Sequence, residues 1–251
     1  MNKLIKNSMF RFLAMVCRND GPKVVYYHDI GTKYTNMGTV TELFQAHVAT
    51  AIENGFTFVG SAEDLTEERR LQICFDDGFN GIWDERMWLA SQDIHPIVFI
   101  AIDLVGKPGY LTWDKIRELQ NEYGVHFQCH TWSHQTLAGP WNGEVAIPQE
   151  GRTDEWYRHE LIDSKAELER QLGKKVTALC FPVGYFSDDV IRRCKAAGYE
   201  KVYASYPGNV TGGYILPRCL VQGLSESGFK CVLRGGMNLF KNRYLRMHKI
   251  G

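Results

Sequence analysis

The chain lacks an excess of charge of either sign: Lys+Arg and Asp+Glu both number 29. No global field is available to gather nucleic acid or other polyanions, which argues against nucleic acid as a partner and for a small or uncharged substrate. Also missing are an apolar run long enough to span a bilayer, an internal repeat and a low-complexity tract. Met1 to Cys17 sets Lys3 and Lys6 ahead of an apolar stretch, but Arg11 interrupts it and no small-residue cleavage site follows, so no signal peptide is expected. Nor do the cysteines pair by number. There are seven, and Cys74, Cys129 and Cys180 each close an apolar run, where a thiol behaves as a small buried hydrophobe. A reducing, cytoplasmic setting is the expectation.

What remains is a rhythm of strand then helix. Lys23 to Tyr27, Phe56 to Val59, Leu71 to Phe75, Asp93 to Ile100, Val125 to Cys129, Val176 to Cys180, Lys201 to Ala204 and Tyr214 to Val221 read as strands. Between them fall helices: Thr41 as cap of one running to Asn54, Ile82 to Ser91, one capped by Thr112, Asp154 to Leu172 stopped by Gly173, and one capped by Ser187. A hairpin is expected around Gly212-Gly213. Ala138 to Arg152 holds too many Gly and Pro breakers for a helix and is expected to form an insertion or lid. A chain of 251 residues buries a full core as one domain. The spans expected are a peripheral segment over 1–22, the domain over 23–235 and a basic tail over 236–251. The alternation fits a parallel barrel or an open sheet equally.

Several strands end on chemistry. Leu71 to Phe75 runs into Asp76-Asp77-Gly78, Val125 to Cys129 into His130-Thr131-Trp132-Ser133-His134, and Val176 to Cys180 into Phe181-Pro182-Val183-Gly184. The first strand delivers His28-Asp29. Adjacent acids in a turn commonly cap a helix, yet ending a strand this apolar they are costly without a cation or a role. His130 and His134, four apart, can converge on one ion. The pair alone is weak evidence, and its place after an apolar strand, together with the acids, strengthens it. Pro182-Val183-Gly184 is either an ordinary loop turn or a rigid turn aiming an N–H group at the site.

In order and spacing these strand ends resemble the first three motifs of the polysaccharide deacetylases, carbohydrate esterase family 4 with its NodB-like domain, over roughly residues 23 to 221. The resemblance implies an α/β fold, an irregular or incomplete (β/α) barrel. It also implies a divalent ion held by Asp77, His130 and His134, with Asp76 as general base and the Val183 amide as oxyanion donor. Zinc is the ion favoured; cobalt, nickel, manganese and iron also suit such ligands. The ion would lower the pKa of a water to about 7 and polarise an acetyl carbonyl.

The chain departs from that pattern twice. It has no late Leu-x-His, the usual source of the acid for the leaving amine. Instead Tyr26-Tyr27-His28-Asp29-Ile30 resembles the early Tyr-His segment of the circularly shifted poly-N-acetylglucosamine deacetylase branch, which makes His28 the acid. Four residues before Pro182, where the family has an arginine that orients the catalytic acid, stands Ala178; Arg218 is the replacement considered, with a surface ion pair as its alternative. Pro182, Gly184, Tyr185 and Trp141 are the expected contacts to a sugar.

The expected activity is removal of an N-acetyl or O-acetyl group from an amino sugar, in a glycan or a nucleotide- or lipid-linked precursor of surface glycan. Rivals are a binding-only relative and a hydrolase of another C–N bond such as a formamide. Met1 to Cys17 is either an amphipathic helix packed on the domain or, with the basic stretch Lys241 to Lys249, a contact with an inner membrane surface. The oligomeric state is left open.

Overall fold

Alternation along the strands fixes the architecture, because each successive residue faces the opposite side of the sheet. The computed structural model describes residues 3–31, 36–139 and 152–250. After helix α1 (Lys3–Val16) come β1 (Lys23–Tyr27), a short parallel pair β2 (Asp29–Ile30) and β3 (Gly38–Thr39), α2 (Thr41–Glu53), β4 (Thr57–Phe58) and β5 (Arg70–Phe75). The chain continues through α3 (Gly81–Ser91), β6 (Ile97–Ile100), α4 (Trp113–Glu122) and β7 (His126–Cys129). Then follow α5 (Asp154–Arg158), a π turn over His159–Asp163, α6 (Ser164–Leu172), β8 (Ala178–Cys180), β9 (Phe186–Ser187), α7 (Asp188–Ala196) and β10 (Lys201–Ala204). Last come β11 (Ile215–Pro217), β12 (Cys219–Leu220), α8 (Glu226–Leu233), α9 (Lys241–His248) and β13 (Lys249–Ile250).

The main sheet is parallel throughout, in the order β11-β10-β8-β7-β6-β5-β1-β12, with β4 beside the start of β5. Its two ends are consecutive in sequence. Ile215–Leu220 pairs with β10 on one side and with β1 on the other, switching at Arg218, so one interrupted strand brings the sheet nearly full circle. The result is an incomplete (β/α) barrel forming a single domain.

Outward residues such as Val25, Leu71, Ile73, Val98, Phe127 and Val202 lie under the helices in the larger of two apolar clusters. Burying each contributes about 1.5–3 kcal/mol. Inward residues Val24, Cys74, Phe99, Ala178, Tyr203 and Leu216 form a smaller one. Polar side chains punctuate that interior: Tyr203 donates to Gln72 (2.9 Å), and Gln128 accepts from the Thr177 and Ala178 amides.

Three local expectations need correction. Thr41 does not cap α2: Val40 precedes the helix without a side-chain bond, and Thr41, already helical, donates from Oγ1 to Glu85 (2.9 Å). Gly212-Gly213 does not turn a hairpin, because β10 and β11 run parallel and the segment between them is a crossover. The basic end is folded rather than a tail, since α9 leads into β13, which pairs in parallel with β9. Elsewhere the caps sit as expected: Thr112 and Ser187 accept from Lys115 and Val190 amides, and Gly173 closes α6 in the left-handed conformation. Most of the expected lid, with Trp141, lies outside the described residues. All seven cysteines are free thiols.

Candidate active site

Inward parity carries the functional side chains to the C-terminal ends of the strands, the end at which barrel enzymes place their chemistry. Asp76 follows β5, His130 follows β7, and Arg218 sits where the closing strand changes partner. Asp77 should point away from the barrel, but its φ of 69° turns it back. Of six non-glycine residues with positive φ among the described residues, four belong here: Asp77, Thr131, His134 and Val183. Each such conformation costs on the order of 1–3 kcal/mol and persists only where its surroundings enforce it.

Those turns bring three ligand atoms together. Asp77 Oδ1 lies 2.9 Å from His134 Nε2 and 3.3 Å from His130 Nε2. Even so, Oδ1 is buried without satisfying hydrogen-bond geometry to any partner. His130 Nδ1 donates to the Cys180 carbonyl (2.8 Å), which turns Nε2 towards Asp77. One carboxylate and two imidazoles converging on one point suit a divalent ion that keeps positions open for water and substrate. A second possible set, Asp76, His130 and Cys180, is less suited. Arg218 stands 2.7 Å from both Asp76 Oδ1 and Cys180 Sγ, a fixed positive charge where a cation would have to sit.

The Arg218–Asp76 pair is the electrostatic centre of the mouth. The guanidinium meets the carboxylate through two bonds of 2.7 and 2.9 Å, and the arginine side chain is wholly buried. The Tyr26, Phe99 and Tyr203 rings surround it at 4.2, 5.3 and 5.9 Å. Burial pushes the Asp76 pKa up, but Arg218, His130 and His28 outweigh it and hold the carboxyl below its usual range. For Asp77 burial likewise acts upward and is overcome by His134 and His130, leaving it well below the ordinary value. Ala178 is buried in the barrel interior, so the small side chain there leaves the inside to an arginine from another strand.

His28, half-buried at the end of β1, donates from Nδ1 to Gln222 Oε1 (2.9 Å), leaving Nε2 as its free nitrogen. Val183 lies in the turn Pro182–Gly184 at φ 59°, and Pro182 and Gly184 are buried there. Gly184 has φ 82° and a Cβ on it would lie 2.6 Å from Ser205 Cβ, so no other residue fits. Tyr185 packs against His248, ring centroids 5.3 Å apart.

Sequence reasoning missed Glu160. It is 1 % exposed, and the π turn His159–Asp163 carries it to the His130–His134 loop. There its carboxylate accepts from the Trp132 and Ser133 amides (both 3.0 Å) and from Ser133 Oγ (2.6 Å). π turns recur at functional sites. The available signal was an acid on the apolar stripe Tyr157, Leu161 and Leu168, where a solvated face has no place for one. Gln222 was missed too, and its sequence surroundings offer no comparable signal.

A family model described as "Polysaccharide deacetylase" matches residues 63–202. YxkH of Bacillus subtilis (strain 168), named for the polysaccharide deacetylases, is 24% identical over 219 residues, covering 82% of this chain and 74% of that protein. Among solved structures, IcaB from Ammonifex degensii superposes with a TM-score of 0.75 at 18% identity, covering 86% of this chain and 98% of its own. A de-N-acetylase from Aggregatibacter actinomycetemcomitans gives 0.70 at 18% identity, covering 84% and 98%.

Proposed function

Because the chain belongs to the polysaccharide deacetylase family, we propose that it is a metal-dependent hydrolase removing an N-acetyl group from an amino sugar of a glycan or glycan precursor. The observation that carries this reading is the convergence of Asp77, His130 and His134 beside an Asp76 kept ionised by a buried arginine.

A divalent ion bound by Asp77, His130 and His134, zinc by preference, would supply an activated water and polarise the acyl carbonyl. Asp76 is the base placed to take the proton of an attacking water. Arg218 holds both carboxylate oxygens in place and keeps the carboxyl ionised, the form in which it can take a proton. The Val183 amide, at the turn, donates to the oxygen that gains charge. The free Nε2 of His28, fixed by Gln222, passes a proton to the departing amine, which completes hydrolysis to acetate and free amine. Tyr185, at the Pro182–Gly184 turn, flanks the sugar. The Arg218–Asp76 pair supports turnover over a binding-only relative, since a buried ion pair of this kind is costly to keep without use.

We further place the reaction at the cytoplasmic side of a membrane, in surface-polysaccharide synthesis, a reducing setting that suits seven free thiols. The test is acetate release from N-acetylated amino sugars after chelation and re-addition of zinc, cobalt, nickel, manganese or iron. Asp76→Asn should bind metal yet lose about 10²–10⁴-fold in kcat. Equal release by the native protein and Asp76→Asn, or release indifferent to metal, overturns the assignment. A formylated sugar cleaved in preference to the acetylated one would move the acyl group from acetyl to formyl.

A further inference from the structure

Two cavities share a wall beside the reaction centre. The first, a cleft of about 330 Å³, starts at Arg218, Val183 and Gln222 and ends at Lys6, Tyr244 and His248. The second, about 320 Å³, is lined by Met9, Phe10, Met237, Phe240 and Met247, and its polar rim is Lys6, Arg243 and Tyr244. Lys6 and Tyr244 therefore stand between a cleft that reaches Arg218 and Val183 and an apolar slot.

We propose, building on the deacetylase reading, that the substrate is an amphiphile: an N-acetylated amino sugar joined through a phosphoryl group to an aliphatic chain. The sugar lies in the cleft, the phosphoryl group at Lys6 and Arg243, and the chain in the slot.

Charge supports this first. The chain is balanced as a whole, yet α1 and residues 236–250 contain no Asp or Glu and carry Lys3, Lys6, Arg11, Lys241, Arg243, Arg246 and Lys249. No carboxylate lines either cavity, and neither Lys6 nor Arg243 has an ion-pair partner among the described residues. Cations left unneutralised at a junction are matched by phosphate oxygens, which accept charge-assisted bonds from both ammonium and guanidinium.

Shape and polarity support it second. A hydroxyl-rich glycan needs hydrogen-bonding walls, and the slot offers thioethers and aromatic rings instead. Methionines adapt to irregular aliphatic chains, and the apolar lining reaches the surface at Met247, exposed by 56%. Contiguous apolar surface of this kind marks a binding site rather than a neutral exterior.

The experiment compares acetate release from three sugars: methyl N-acetylglucosaminide, N-acetylglucosamine 1-phosphate and its decyl phosphodiester. The phosphodiester should exceed the methyl glycoside at least tenfold in kcat/KM, chiefly through KM, with the free phosphate between them. Lys6→Ala with Arg243→Ala should collapse the advantage conferred by phosphate, and Met247→Asp, at an exposed position that leaves folding unaffected, that conferred by the chain. Equal kcat/KM on all three, or ratios unmoved by these variants, overturns the proposal. If the variants alter only sedimentation with phosphatidylglycerol vesicles, the surface contacts a bilayer and the substrate assignment falls. Calorimetric titration with decyl phosphate separates the two readings. Binding that needs Lys6 and Arg243, without acetate release from any sugar, would refute the deacetylase and retain the amphiphile site; no binding would refute the site.

Discussion

The two faces of the barrel strands are built on different terms. Outward residues are mainly apolar and are covered by helices, with Leu71, Val98 and Val202 fully buried. Inward residues pass from apolar at mid-strand to ionic at the C-terminal end, where Asp76, His130 and Arg218 are also almost wholly buried. Burial thus stabilises one face and is a cost on the other, met only because each charge has a partner at bonding distance. The outer face tolerates substitution by any apolar residue of similar volume. The inner mouth tolerates only changes that keep charges matched.

The widest separation between the faces should come from Arg218→Met. Removing the guanidinium leaves Asp76 buried and unpaired, and unfolding free energy should fall by about 3–5 kcal/mol. Asp76→Asn added to Arg218→Met should recover most of that loss, because no charge then remains inside. On the outer face Leu71→Ala should cost about 2–5 kcal/mol through its cavity, and Asp76→Asn should restore none of it. Chemical denaturation of the four variants checks the cycle. A double variant no more stable than Arg218→Met would show that packing, and not charge, governs the mouth.

A smaller effect belongs to Glu160, which acts on the mouth from the outer layer. Glu160→Gln puts an amide where three donors converge and should loosen the His130–His134 loop. Metal affinity should drop about 10–100-fold, with KM for substrate changing less than the metal requirement for half-maximal activity. Titration of the metal-free protein with zinc or cobalt measures it. An unchanged affinity would mean that the positive φ angles at Thr131 and His134 are enforced by the loop itself.

The same contrast decides what could be read from the residues alone. Outward faces and parallel strands announce themselves through apolar runs bounded by Gly and caps, so β1, β5, β7 and β8 were legible, as were the strand-end acids and histidines. Parallel pairing of β10 with β11 was not, since two glycines between short strands satisfy a hairpin as readily as a crossover. Arg218 could be nominated but not placed. Whether Leu216-Pro217-Arg218-Cys219 turns its arginine inward depends on a strand that switches partners at that residue, a long-range event without local signature. Glu160 depends on a π turn that shifts one helical register, which a 3.6-residue period conceals.

The smallest effect tests a buried polar pair on the outer side, where His47 of α2 meets Tyr27 of β1. His47 Nε2 donates to the Leu224 carbonyl (3.0 Å), so Nδ1 accepts from the Tyr27 hydroxyl (2.9 Å), and the ring stacks on Phe229 at 4.4 Å. Burial pushes its pKa down to about 4 from 6.5. A depressed histidine contributes stability in full above the unfolded value and loses it as pH falls towards the folded one. Between pH 6.5 and 5.5 the unfolded chain gains a proton that the folded chain refuses, a loss of about 1 kcal/mol. Asp29 opposes it, for burial raises that carboxyl to about 6 from 3.8, and its protonation favours the folded state over the same interval. The native protein alone would therefore show little slope, and the measurement must be the difference in unfolding free energy between native protein and His47→Gln, in which the Asp29 contribution cancels. That difference should shrink by about 1 kcal/mol from pH 6.5 to 5.5. A difference independent of pH would mean that His47 takes up a proton inside the fold, and that the helix-covered face accommodates charge as readily as the mouth does.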